Sequence, residues 1–522
     1  MNNRFDEPRE RICSLEPGGQ SAPLSRGELT KSLAQSVTRR AALKKFGVGL
    51  AGMALAGFLA VPAVSAPSTL GPLVELSVPN AVGTCDDGFR LPGTMTPDGA
   101  AEPFVAVNPA HPNNIVAAWI QGPFQNIITA ASFDGGTTWQ RVPLPLTFCS
   151  GGPYLGAGDP WLSFAPNGEL YCIALAGTSL SSISALVCKS TDGGLHWSAP
   201  VLVDTPDFGP DKCSITADPA DSRFVYAAWS RAKFNNRTGL GFSRTTDGGK
   251  SWEPARSIFQ TAPGQIALNC QILVPDGTVV EMFLVQYKKP NQAPTAQNLQ
   301  LMRSSDKGQT WSAPIPVVAM QTILRGDSIG SWLTFDPDTG QFVQDGFNTG
   351  FGVDGRNGNL YAVWEDGRFS NFQYNDIAFS MSADGGFAWS TPIRINQTPL
   401  NIPPLNRQAF CPVLAVAPNG TIGVTYYDFR FNDSNPGLPT DYWLVQCHPT
   451  PTAPASSPAS WGNEVRLTTA SFDLEAAQIT FGDFWLGDYF GLAPLGGGGF
   501  VSAFGQVDPG NVTAIFARRV GQ

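Results

Sequence analysis

The chain of 522 residues is poor in charge and in histidine, and past residue 66 it has no long apolar run. Charged side chains make up 14% of it, and acids outnumber bases, 42 to 33. No Lys/Arg cluster follows residue 66, so the basic face that a nucleic-acid partner requires is missing. Only His111, His196 and His448 are available, and no cysteines stand in a CxxC pair, which removes the common zinc frameworks. No second segment is long and apolar enough to span a bilayer as a helix. What the chain has instead is Gly 56, Pro 44 and 11% aromatics, a mix that suits short strands joined by tight turns.

The first 66 residues read as an address. Thr38-Arg39-Arg40-Ala41-Ala42-Leu43-Lys44 resembles the twin-arginine export motif, with Ala42 in place of the usual Phe. A Gly/Ala-rich apolar run over residues 46–64 follows, broken by Pro62, with small residues suited to cleavage near Ala63 or Ala66. Residues 1–66 are therefore expected to be an export signal and leader, with an N-terminal membrane anchor as the alternative. Residues 67–522 are expected to form one domain, periplasmic or extracellular and free of the membrane once the leader is removed. Eight cysteines lie beyond the leader, an even number consistent with disulfides in an exported chain. Cys172 and Cys188 are expected as cross-strand neighbours, and Cys213 and Cys270 at the openings of adjacent inner strands. Either pair could bond at suitable separation.

One pattern recurs five times: Ser132-Phe-Asp134-Gly-Gly136-Thr-Thr138-Trp139, Ser190 to Trp197, Thr245 to Trp252, Ser304 to Trp311 and Ser382 to Trp389, each with Asp at its third place and Trp at its eighth. The Asp can accept hydrogen bonds from its own turn, the Gly two residues on supplies a backbone conformation other residues avoid, and the Trp packs between sheets. His196 and Ala388 stand where the other copies have Thr or Ser, so those two turns are expected to be looser. These segments resemble the Asp box of sialidases and related propellers. A second recurring unit precedes each box: an apolar strand, a turn, then a strand often ending in an aromatic. Copies open at Glu102, Asp159 and Asp211, with weaker ones near Cys270, Ser331, Cys411 and Asp488.

The expected fold is all-β: a propeller of four-stranded antiparallel blades, seven of them, with six as the alternative that familiar sialidases suggest. The stretch from Gly487 to Arg519 holds three strands, and Leu73–Val78 is placed to close that blade. Strand parity puts every box on one face and the start of strand one with the end of strand two on the other. That second face collects Glu102, Asp159, Asp211 and Asp488 from strand-one starts, with Asp327 just before another. Strand-two ends add Trp229-Ser-Arg231, Trp364-Glu365-Asp366-Gly-Arg368 and Tyr426-Tyr427-Asp428-Phe-Arg430. Individually such charges cap turns or pair across loops; as a set they point to a polar ligand site.

The resemblance implies more. Sialidases hold a substrate carboxylate with three arginines and use a Tyr nucleophile assisted by a Glu, with an Asp as acid/base. Phe89-Arg90-Leu91-Pro92 looks like the sialidase Phe-Arg-Ile-Pro motif, which makes Arg90 a carboxylate ligand, with Arg368 and Arg430 as partners and Arg231, Glu102, Glu365 and Asp366 around them. Tyr489 beside Asp488, or Tyr427 beside Asp428, would be the nucleophile, with Asp159 and Asp211 as acid/base candidates. The implied activity is release of a terminal acidic sugar from glycans, without a cofactor. The alternatives are a non-catalytic propeller binding glycan or protein through the same mouth, and a calcium-bound propeller.

Overall fold

Each repeat unit is too short to bury both faces of its own sheet, so the units pack face to face around an axis. In a computed structural model the described residues are 68–522, apart from 80, 84, 86–95, 180, 233–237, 288–294, 326–331, 345–348, 481, 511 and 522. They build a propeller of seven four-stranded antiparallel blades. Blades 1 to 6 span residues 100–143, 156–204, 210–260, 265–320, 350–394 and 409–466. Blade 7 takes Gly491–Pro494, Phe500–Val507 and Thr513–Gly521 from the end of the chain. Its fourth, outer strand is Thr69–Glu75, which pairs antiparallel with Thr513–Gly521 in the register Thr69↔Gly521 to Glu75↔Phe516. The expected closing strand is thus present, a few residues earlier than Leu73–Val78. Helical structure among the described residues is limited to 3-10 turns of three or four residues. No helix among them is long and apolar enough to cross a membrane.

The fifth blade departs from expectation. Its inner strand is Gly350–Val353, not a segment near Ser331. Residues between blades 4 and 5 instead meet the connection between blades 6 and 7, where Val343–Gln344 pairs parallel with Asp483–Trp485. Arg325 is bonded to Asp483 across the same junction. These two long connections leave from the face opposite the boxes.

The five boxes sit between third and fourth strands, as expected. Asp134 accepts from the backbone of Thr137 and Thr138, each at 2.9 Å, and from the Thr138 hydroxyl at 2.6 Å. Those bonds hold its carboxyl well below the usual range. The turn with His196 is not looser, because the imidazole reaches Asp192 at 2.5 Å in place of the hydroxyl. The turn with Ala388 lacks a side-chain donor at that place, and Asp384 accepts from the backbone of Phe387 and Ala388 at 3.0 and 2.9 Å and from the Ser382 hydroxyl at 2.8 Å.

The boxes also clip neighbouring blades together. The carbonyl after each box Asp takes a side-chain donor from the preceding blade. Arg519 reaches Gly135 at 2.7 Å, Asn114 reaches Gly193 at 3.1 Å and Lys189 reaches Gly248 at 2.7 Å. Arg244 reaches Lys307 and Arg303 reaches Gly385 in the same way. The box therefore does two jobs, folding its own turn and presenting an acceptor to the next blade.

Candidate functional site

The inner strands share a feature that periodicity does not show. At corresponding places near their starts, Glu102, Asp159, Lys212 and Cys411 adopt φ of 53°, 56°, 51° and 55°. Each lies where the pairing with the second strand shifts register, which marks a β-bulge. A left-handed backbone is costly for residues with a Cβ, and such bulges re-aim side chains. Here the bulges bring side chains of blades 1, 2 and 3 against blade 7 on the face opposite the boxes. The repeat is therefore offset by one residue from the acid-based reading. Lys212, not Asp211, is the counterpart of Glu102 and Asp159. The residue after the bulge carries the signal, being Pro103, Pro160, Cys213 or Pro412.

Around these bulges lies the centre of the site. The Tyr489 hydroxyl donates to Asp159 at 2.8 Å, and the Lys212 backbone donates to the same oxygen at 3.2 Å. The Lys212 ammonium is paired with Asp488 and sits 5.1 Å from the Tyr489 ring centre. Trp485 donates to Asp488 at 2.9 Å, and the Asp488 backbone donates to Glu102 at 3.1 Å. Gly487, at φ 130°, leaves no room for a side chain: a Cβ there would stand 2.4 Å from the Glu102 nitrogen. That close approach locks blade 7 onto the blade 1 bulge. Asp211, half-buried, accepts from the Lys212 backbone at 3.0 Å.

Burial decides the protonation of this group. It pushes the Glu102 carboxyl far above its ordinary range, and Asp159 and Asp488 add to the effect. Asp159 is raised to about 6, again by burial first. For Lys212 burial opposes the charge, but Asp488 and Asp159 outweigh it and hold the ammonium firmly protonated. The Tyr489 phenol is pushed up by burial and by the Asp159 and Glu102 charges. At neutral pH Lys212 is therefore an ammonium, Asp159 is largely ionised and Glu102 is a neutral acid.

The arginines are placed otherwise than the resemblance implies. Arg231 is bound through two nitrogens to Asp204, at 2.8 and 2.9 Å. Arg368 is bound in the same way to Asp366, at 2.7 and 2.8 Å. Arg430 meets Asp428 at 2.8 Å and Glu464 at 2.6 Å, and lies 3.6 Å from the Trp443 ring centre. They belong to blades 3, 5 and 6, and each is neutralised by a carboxylate close by. Asp204 and Glu464, absent from the sequence reading, are the partners that do this. Glu365 accepts from the Cys411 backbone at 2.9 Å, so it braces the blade 6 bulge.

Tyr427 is corrected by its surroundings: it is fully buried among Phe410, Tyr442 and Phe490, and its hydroxyl donates to the Gly505 carbonyl at 2.7 Å. It is a core aromatic between blades 6 and 7. Its neighbour Asp428 serves Arg430. Arg90 and Asp327 lie outside the described residues.

The cysteines correct a second expectation. Cys172 and Cys188 are directly paired across their strands, and Cys213 and Cys270 stand on adjacent inner strands, yet all four are free and buried. The bond present joins Cys85 to Cys149, with Cα atoms 5.6 Å apart. Cys213 and Cys270 have other work. Each thiol points to the bulge carbonyl of the preceding blade, Asp159 at 3.2 Å and Lys212 at 3.3 Å. A disulfide between them would leave both carbonyls without that donor. As for metal, no group of three or more His, Cys, Asp or Glu among the described residues is arranged to hold an ion. The carboxyls are organised around Lys212 instead.

Comparison with known proteins gives no matching family model and no matching curated protein. Among solved structures, the chain is similar to a polysaccharide lyase described as an ulvan lyase, at 9% identity and TM-score 0.46, covering 82% of this chain and 95% of that one. It is similar to a Dyadobacter fermentans protein described as of unknown function, at 13% identity and TM-score 0.43, covering 86% and 98%. It is also similar to the intramolecular trans-sialidase of Ruminococcus gnavus, at 13% identity and TM-score 0.39, covering 84% and 98%.

Proposed function

We propose that this chain is an exported, sialidase-like exo-glycosidase acting on the terminal sugars of glycans. The observation that carries the reading is the Tyr489 hydroxyl donating to Asp159 at 2.8 Å in the mouth opposite the boxes. A phenol raised by burial is a poor nucleophile until a base takes its proton. Asp159, with a carboxyl near 6, is largely ionised at neutral pH and already holds the hydrogen bond along which that proton moves. In this scheme the Tyr489 oxygen attacks the anomeric carbon as the glycosidic C–O bond breaks, and Asp159 receives the phenolic proton. Asp211, the half-buried acid beside them, gives a proton to the leaving glycosidic oxygen and recovers one from solvent. Water then releases the sugar from Tyr489, which recovers its proton.

The acidic-sugar form of this reading needs a guanidinium to meet the substrate carboxylate. Arg90 is the candidate from the sequence; Arg231, Arg368 and Arg430 would each have to exchange a carboxylate they already hold. A second reading, a non-catalytic glycan-binding propeller, is favoured by those same neutralised arginines. A release assay on the mature protein with fluorogenic terminal sugars, sialic acid included, separates the two. Turnover that is lost in Tyr489→Phe, with the fold retained, supports the enzyme. Binding of sugars without release of any supports the second reading.

A further inference from the structure

Lys212 takes no part in the reaction drawn above, yet it reaches both of the groups that exchange the phenolic proton. It stands at the blade 3 bulge with φ 51°. Between the pairs Asp211↔Ser230 and Ser214↔Ala228, Lys212 and Cys213 face the single residue Trp229. The Lys212 N–H is thereby left out of the ladder and turns to carboxyls, donating to Asp159 at 3.2 Å and to Asp211 at 3.0 Å. The oxygen it meets on Asp159 is the one that holds the Tyr489 hydroxyl at 2.8 Å. Its carbonyl accepts from the Cys270 thiol of blade 4 at 3.3 Å, which anchors the bulge from the other side.

The far end of the residue returns to the same pair. The side chain is 12% exposed, and its ammonium is paired with Asp488 and lies 5.1 Å from the centre of the Tyr489 ring. One residue therefore holds the acceptor by its backbone and flanks the donor with its charge. A buried carboxyl far from any cation keeps its proton, whereas a fixed cation nearby favours the ionised form. The titratable groups around Asp159 are Glu102 from blade 1, Lys212, Asp211 and Cys213 from blade 3, and Asp488 and Tyr489 from the connection into blade 7. Lys212 is the cation of that set and, after burial itself, the largest influence on the Asp159 carboxyl.

We infer that Lys212 is a positioning residue of this mouth: its amide aims the Asp159 carboxylate at the Tyr489 hydroxyl, and its ammonium keeps that carboxylate free of a proton. The role in turnover rests on the glycosidase reading above; the control of Asp159 does not. Lys212 itself gives up no proton and forms no bond. The proton passes from the Tyr489 oxygen to the Asp159 oxygen as the Tyr489 oxygen bonds to the anomeric carbon, and Lys212 keeps its charge throughout. The ring over which phenolate charge spreads already has the ammonium beside it, so less charge is left unbalanced as that bond forms.

The test compares Lys212→Met and Lys212→Arg with the wild-type mature protein. Infrared difference spectra recorded across the pH range follow the Asp159 carboxyl, with Asp159→Asn identifying its band. The wild-type midpoint is expected at about 6, and Lys212→Met should move it upward by at least about one pH unit. Lys212→Arg, which keeps the charge, should stay close to wild type. If Lys212→Met does not fold, Lys212→Gln carries the same expectation. With a glycoside that the wild type turns over, the acid limb of kcat/KM should move up with the carboxyl in Lys212→Met, so a roughly ten-fold loss on the acid side shrinks as pH rises past the new midpoint. A purely structural role would instead lower the rate by one factor at every pH. An unmoved Asp159 midpoint in Lys212→Met overturns the inference, and so does a limb that stays in place while the rate falls uniformly. A moved carboxyl without turnover of any glycoside leaves the control of Asp159 standing and removes the glycosidase. Turnover with an unmoved carboxyl sinks the inference and keeps the glycosidase.

Discussion

Replacing Arg430 by alanine offers the sharpest division between a ligand-binding arginine and a structural one. Its side chain is 7% exposed, Asp428 is fully buried and Glu464 is 13% exposed, so the pairs are shielded from water. Removing one partner of a buried ion pair costs about 3–5 kcal/mol, chiefly because the remaining charge has no compensation. Here two carboxylates lose the guanidinium, and the stacking on Trp443 goes with it. A unit of roughly 450 residues unfolding at about 2.1 cal/mol/K per residue has an entropy near 1 kcal/mol/K, so the melting temperature should fall by about 3–5 °C. Differential scanning calorimetry of Arg430→Ala measures this directly. Adding Asp428→Asn and Glu464→Gln to the same chain should recover most of the loss, since the stranded charges are removed with the guanidinium. If Arg430→Ala melts like the wild type and only ligand binding falls, the guanidinium is not held as described and serves the substrate.

Acid should loosen the boxes first. The Ser251 hydroxyl and backbone hold Asp247 at about 2, so the stabilisation it gives is complete above its unfolded value of about 3.9 and fades as pH falls toward 2. Melting temperatures measured from pH 5 to pH 2 should drop in that window, and Asp247→Asn should flatten its part of the drop while lowering the plateau. Glu281 has the opposite sign. Fully buried, its carboxyl is raised well above the ordinary range by burial, which the Cys270 thiol only partly offsets, so the neutral form is compatible with the fold and stability is lost as pH rises. Glu281→Gln should therefore weaken the loss of stability seen when the melts are extended upward from pH 5, and an unchanged upper limb would refute the assignment. Cys213→Ser should melt near the wild type because a hydroxyl can still donate to the Asp159 carbonyl. Cys213→Ala should melt lower by about 1 kcal/mol of lost hydrogen bonding, and equal melting of the two would remove the thiol's role.

The legible part of this fold is its punctuation. Five Asp-box turns, two glycines inside most of them and a Trp after each mark where third strands end and fourth strands begin, because those turns need particular residues. The three-stranded remainder from Gly487 onward likewise left one place for an N-terminal strand to fill. Pairing between distant residues was illegible. Nothing in the order of residues says that Arg430 would be met by Glu464 across its blade, or that Tyr427 would turn into a core while Tyr489 turned into the mouth. Strand parity assigned a face, but a bulge resets parity by one residue, and that is why Lys212 was passed over for Asp211. Blade 5 was misplaced for a related reason: its inner strand is four residues long, and before it the two-residue strand Val343–Gln344 pairs with the connection between blades 6 and 7.

The pairing of Thr69 with Gly521 fixes the order in which the molecule can be completed. On a chain made from its N-terminus, the outer strand of the last blade emerges first and has no partner until nearly every other residue has been made. Until then it is an unpaired edge, and blade 1 lacks the Arg519 contact to its box. Contacts this remote in sequence form slowly, since the whole intervening chain must be ordered before they repay the closure. Six blades can stack one upon the next as they appear, yet the ring has no circumference until its final strand arrives. A chain cut short by a dozen residues would lose the strand that joins both its neighbours, and would remain an open arc with two exposed ends.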